Sequence, residues 1–192
     1  HRSKGRYIAF CDSDDIWEAE KLERHFDHLE SDSNIGISFA GSTMIDDNGV
    51  RLRVNQKPKL KGISAADIFK RNPIGNGSAA VVRRAAFDCI AYRPASERER
   101  EWWFDESMRQ SEDIDAWMRF ALESDWKIEG ITGLLTRYRI QSGGLSANLA
   151  KQYETWKRML KKVTDISPAF AANHAIAAEA YQLRFLARRA FM

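Results

Sequence analysis

Cysteine is nearly absent: Cys11 and Cys89 are the only two in 192 residues, and they lie too far apart to form a CxxC pair. They are expected to be reduced core residues of an intracellular protein. Histidine is equally scarce. His1, His25, His28 and His174 make no ligand cluster, and only His25 and His28 would share a helix face, which reads as solvated surface rather than a metal site. No apolar run approaches the ~20 residues of a membrane span, and no secretory leader is evident, so a soluble, cytoplasmic protein is expected. A dominant charge sign is missing too. With 30 Lys and Arg against 27 Asp and Glu, the formal net charge is only +3, and the dispersed basic residues argue against nucleic acid as the partner.

The 44% of hydrophobic residues suffice for a sizeable core. The most informative stretch comes early, where Tyr7-Ile8-Ala9-Phe10-Cys11 runs into Asp12-Ser13-Asp14-Asp15. An apolar run that stops at clustered acids reads as a buried strand whose carboxyl end opens into a crevice, where open α/β sheets bind ligands. Hard carboxylate oxygens there suit a divalent cation. A second acidic group, Glu112-Asp113, follows Ser111 and precedes Ile114, Trp117, Met118, Ala121 and Leu122 at helical spacing. Acids in a first helical turn complement the helix dipole. Taken with the earlier group, they also allow metal binding and proton abstraction to be divided between two sites.

Between these lie recognisable elements. Asp15 is placed to cap a helix over residues 18–30, with Leu22, Phe26 and Leu29 as its apolar face. A strand over 35–40 and the turn Asp46-Asp47-Asn48-Gly49 lead into a strand over 50–54. A basic loop over 55–62 precedes a short helix at 65–70. Gly75-Asn76-Gly77-Ser78 opens a strand over 79–82, its glycines serving either a tight turn or close backbone approach to a ligand. Ser111 is a plausible cap for the acidic helix. Strands follow over 126–131 and 134–140, then a Gly-containing turn over 141–146 that could close over a ligand. Two helices, 149–163 and 168–190, end the chain. The first carries Lys151, Lys157, Arg158, Lys161 and Lys162, a pattern suited to a solvated face or to peripheral contact with an anionic membrane.

The run Lys4-Gly5-Arg6-Tyr7-Ile8-Ala9-Phe10-Cys11-Asp12-Ser13-Asp14-Asp15-Ile16-Trp17, followed by Lys21-Leu22-Glu23, resembles the DxD region of family 2 glycosyltransferases with the GT-A fold. Gly75-Asn76-Gly77-Ser78, Phe104-Asp105-Glu106, Ser111-Glu112-Asp113, Tyr138-Arg139-Ile140 and Gly143-Gly144-Leu145-Ser146 continue the resemblance in the family's order. It implies an α/β, GT-A-like mixed sheet flanked by helices, with a GT-A domain over 1–148 and a C-terminal helical extension over 149–192. It also implies transfer of a sugar from a nucleotide-diphosphate sugar to a saccharide or lipid-linked acceptor, with inversion, in cell envelope polysaccharide or glycoconjugate synthesis. Asp14 and Asp12 would hold Mg or Mn, Asp113 would be the general base supported by Glu112, and Arg139, Gln141 or Arg137 would contact the donor diphosphate. Residues 92–103, with Arg93, Trp102 and Trp103, offer an acceptor surface, or equally a packed core.

Two departures from the family pattern shape these expectations. The sequence starts just before the DxD strand, so the first, nucleotide-binding β-α units of the Rossmann-like half are expected to be absent, leaving a catalytically incomplete fragment as the alternative. Gln141 also stands where many members carry a metal-binding histidine. Two other families fit less well. Asp12 and Asp14 resemble the aspartate pair of haloacid-dehalogenase-type phosphatases, which does not account for Glu112-Asp113. Asp12, Asp14 and Glu23 take the first, third and twelfth places of an EF-hand-like loop, but Trp17 falls where its glycine belongs.

Overall fold

A computed structural model describes residues 3–141 and 148–190. In chain order the elements are β1 (Tyr7–Ala9), β2 (Ile16–Trp17), α1 (Lys21–Ser31), β3 (Ile35–Ile45) and β4 (Arg51–Gln56). They continue with α2 (Ala65–Lys70), a 3₁₀ turn (Gly77–Ala79), β5 (Val81–Arg83), α3 (Arg84–Asp88) and α4 (Glu112–Glu123). The last are β6 (Lys127–Arg139), α5 (Leu149–Ile166) and α6 (Pro168–Ala190). The strands form a six-stranded sheet in the order β1-β5-β3-β6-β2, with β4 also paired to β3. β3 runs parallel to β6 and antiparallel to β4 and β5, so the sheet is mixed. This is the GT-A-like architecture that the resemblance implies, with C-terminal helices after it.

The chain divides into two compact units. The first comprises His1–Ile63, Pro73–Cys89 and Asp125–Ser142, and the second Ser64–Asn72, Ile90–Ser124 and Gly143–Met192. The first unit holds the whole sheet. β3 is buried along almost all its length because strands lie on both sides of it and α1 and α3 pack against it. It extends to Ile45 rather than ending near residue 40. In the second unit α2 packs on α4 and α6, and α5 packs on α6. Phe69 and Tyr153 each stack on buried Trp156, with centroids 6.2 and 6.0 Å away. Among the described residues no helix is long and apolar enough to cross a membrane.

Several sequence expectations are corrected. α1 begins at Lys21 behind Glu20, which makes no side-chain cap bond. Asp15 does not cap it, because the Asp15 carboxylate accepts the backbone N–H of Arg139 instead. The buried face of α1 is Lys21, His25 and Leu29, while Leu22 and Phe26 are about half exposed. His25 is therefore a core residue, not solvated surface. Ser111 has a left-handed backbone, φ 59°, and makes no side-chain cap bond. Cys11 and Cys89 are free and exposed rather than buried. The two strands expected over 126–140 are one, β6, which passes through Gly133 at φ +108° with register shifts against β3.

Candidate functional site

The Asp12–Asp15 loop leaves the carboxyl end of β1, and the carboxyl ends of the parallel strands β3 and β6 converge on it. Arg139 at the end of β6 donates its backbone N–H to Asp15 Oδ1 at 2.9 Å and its Nε to the Asp14 carbonyl at 2.8 Å. Its Nη1 reaches the carbonyls of Asp46 and Asp47, just beyond β3, at 2.6 and 2.9 Å. Gln141 Nε2 donates to Asp14 Oδ2 at 3.2 Å. Asp14, Arg139 and Gln141 thus form one cluster, with Asp12 two residues earlier in the same loop. The guanidinium of Arg137 is instead bidentate on Glu18 at 2.8 Å for both bonds, and its hydrogen bonds hold the Glu18 carboxyl below its usual range.

The three aspartates differ in setting. Asp12 is exposed and Asp14 half-buried. Asp15 turns inward, where burial raises its carboxyl above the ordinary range against the opposing pull of the Ser78 hydroxyl and the Arg139 N–H. The Asp12 backbone N–H donates to Ser78 Oγ at 2.8 Å, and a Cβ built on Gly77 would lie 3.8 Å from Asp12 Oδ2. The 3₁₀ turn at Gly77–Ala79 therefore lies against the Asp12 side chain at ordinary contact distance. Gly75, at φ +94°, has no room for a Cβ because the Gln56 carboxamide fills the space. The Gly75-Asn76-Gly77-Ser78 run stands out in the sequence, but nothing in the sequence pairs its Ser78 with Asp12, 66 residues away.

Two accessible carboxylates fit one mode of divalent binding. Among the described residues no three His, Cys, Asp or Glu side chains converge on a common point. The described residues therefore supply no complete cage of protein ligands, and a divalent ion bound here would need other oxygen ligands to complete its shell.

Glu112 and Asp113 open α4 in the second unit and are half-buried. Asp113 Oδ1 accepts the Ile114 N–H at 2.8 Å. Two residues on, buried Asp115 anchors the helix: Oδ2 takes Arg119 Nε at 3.1 Å and Oδ1 takes Lys162 Nζ at 2.6 Å. Lys162 also reaches buried Asp105 at 2.9 Å, as Arg158 does at 3.1 Å. Burial would raise the Asp105 carboxyl, but the Ser107 and Lys162 hydrogen bonds outweigh it and hold it at about 2. In the proposed acceptor segment, Tyr92 and Trp102 pair through their backbones and meet edge to face at 6.3 Å. Residues 142–147, which include all but the first residue of the expected ligand-covering turn, lie outside the described residues.

Residues 1–91 match the family described as Glycosyl transferase family 2. One relative, named "Uncharacterized glycosyltransferase MJ1057", from Methanocaldococcus jannaschii, is 28% identical over 138 residues, 72% of this chain and 43% of its own length. Another, named "Putative teichuronic acid biosynthesis glycosyltransferase TuaG", from Bacillus subtilis, is 25% identical over 157 residues, 81% of this chain and 55% of its own length. The chain spans about half the length of these relatives.

Proposed function

We propose that the chain is a family 2 glycosyltransferase, as the match over residues 1–91 and the two glycosyltransferase-named relatives support, and that it transfers a sugar from a nucleotide-diphosphate sugar to an acceptor hydroxyl, with inversion and with help from a divalent cation. The observation that carries this reading is the Asp12–Asp14 loop, whose backbone is held by Ser78 at the Asp12 N–H and by Arg139 at the Asp14 carbonyl, and whose Asp14 carboxylate accepts from Gln141. Asp14 and Asp12 would hold Mg or Mn, which when bound neutralises charge on the leaving diphosphate. Arg139 fixes the backbone of that loop, and Gln141 orients the Asp14 carboxylate. Asp113 is the general base that takes the acceptor proton, supported by Glu112, and the Asp115 ion pairs keep their helix in place. The printed name of TuaG supports a growing polysaccharide or glycoconjugate as the acceptor class.

The base assignment is tested by incubating the chain with a panel of nucleotide sugars and acceptors and measuring nucleoside diphosphate release. Asp113→Asn should lower release by about 10²-fold or more while leaving metal-dependent nucleotide affinity unchanged. Loss of both together would show that Asp113 is structural.

A further inference from the structure

Lys21 is fully buried yet makes no ion pair with any described carboxylate at salt-bridge distance. Its Nζ donates to the Ala79 carbonyl at 2.9 Å and to Thr136 Oγ1 at 3.3 Å, lies 3.4 Å from His25 Nε2, and sits 5.7 Å from the Trp17 ring centroid. Every one of these partners is neutral or nearly so. Burial pulls the ammonium down to about 8, and His25 is pulled to about 3, first by burial and then by the Lys21 charge. An ammonium held this way costs stability that an apolar side chain of similar length would not.

The atoms Lys21 grips lead to the acidic loop. Ala79 and Ser78 belong to the 3₁₀ turn, whose own backbone bonds, Ala79 N–H to Asn76 at 3.2 Å and Ala80 N–H to Gly77 at 3.4 Å, are long. Outside anchors therefore set its shape: Lys21 on the Ala79 carbonyl, Trp17 Nε1 on the Ser78 carbonyl at 3.1 Å, and Asn76 Nδ2 on Ser42 Oγ at 2.9 Å. Thr136, gripped by Lys21, also donates to the Ser78 carbonyl at 3.4 Å. Ser78 in turn presents Oγ to the Asp12 N–H. We propose that Lys21 is a positioning residue for the Asp12–Asp14 loop, acting through the Ser78–Ala79 turn. The inference rests on the donor-site reading only for its functional consequence; the mechanical link stands on the hydrogen bonds themselves.

Amide hydrogen exchange at Asp12 tests the link without any ligand. Ser78→Ala removes the acceptor of that N–H and should speed Asp12 exchange about tenfold relative to the β3 amides. Lys21→Met should do the same, and the double variant should exchange no faster than Ser78→Ala, because both act on one contact. Asp12 exchange that merely tracks the β3 amides in Lys21→Met, or that adds in the double variant, would overturn the proposal. If Lys21→Met gives no folded chain, Lys21→Gln is measured against the same criterion. In parallel, UDP with MnCl2 is titrated by calorimetry into the wild-type chain and Lys21→Met, where an approximately tenfold weaker affinity is expected. Unchanged affinity would overturn the functional consequence. Failure of the wild-type chain to bind UDP would instead sink the donor-site reading, while the exchange rates still decide the role of Lys21.

Discussion

Asp15 and Lys21 are both ionisable residues drawn inward beside a carboxylate loop, and each leaves a signature in the pH dependence of stability. Asp15 has a folded pKa raised by burial, so the folded state holds a proton that the unfolded state has released. Its contribution is favourable at low pH and is lost as pH climbs from 3.8 through the raised value. Asp15→Asn keeps an oxygen for the Arg139 N–H, and should gain stability relative to wild type as pH rises through that window, measured as the difference in Tm between acid and neutral pH. Lys21 behaves oppositely at the alkaline end. Its folded pKa of about 8 lies below the unfolded 10.5, so the burial cost is relieved and stability rises between those values. Lys21→Met should flatten that rise in denaturant titrations at successive pH values. Residue type alone points the wrong way at such positions. The histidines on α1 read as solvent-facing from sequence, and the sheet that buries His25 together with Lys21 is built largely from residues far along the chain.

α1 shows how far local pattern reaches. Its existence, and the bounds of α2 and α6, follow from periodicity and capping chemistry: Ser64 accepts the Asp67 N–H while the Asp67 side chain accepts back from the Ser64 backbone. Asp15 and Ser111 also stand in cap-like positions, but an Asp or Ser before a helix cannot reveal a competing partner, and Arg139 lies 124 residues from Asp15. The bend in β6 likewise reads, by pattern alone, as a break between two strands. Gly133 carries the chain through it at φ +108°, and a Cβ there would fall 2.8 Å from Arg24 Nη1, whose Nη2 holds the Thr132 carbonyl at 2.7 Å. Gly133→Ala should therefore destabilise the fold by about 1–3 kcal/mol in chemical denaturation. In α4, Asp115 depends on Lys162 and Arg119. Removing the lysine with Lys162→Met leaves two buried carboxylates each short of a partner, and should cost about 3 kcal/mol. Lys162→Arg should recover part of that loss.

Across the whole chain, the acids that stand out in the sequence fall in both compact units: the Asp12–Asp15 loop with the sheet, and Glu112-Asp113 with the helices. The identity of the acids and their order are legible in the sequence, because DxD after an apolar strand and ED at a helix start are local patterns. The parts that hold the first group in place are not. Ser78, Arg139 and the buried Lys21 reach it only through long-range pairing of β1, β5, β3 and β6. In chemical terms the loop presents one exposed and one half-buried carboxylate on a backbone held by Ser78 of the 3₁₀ turn and Arg139 of β6, a donor set that in the proposed reading a divalent ion and a diphosphate would complete together. The most direct measurement is a calorimetric titration of UDP into this chain with MnCl2 and again with EDTA, for wild type and Asp14→Ala. Saturable binding by wild type with manganese, abolished by EDTA and by Asp14→Ala, is the predicted result. Equal binding in Asp14→Ala, or no wild-type binding at millimolar UDP, would contradict the assignment of a metal-dependent donor site to this loop.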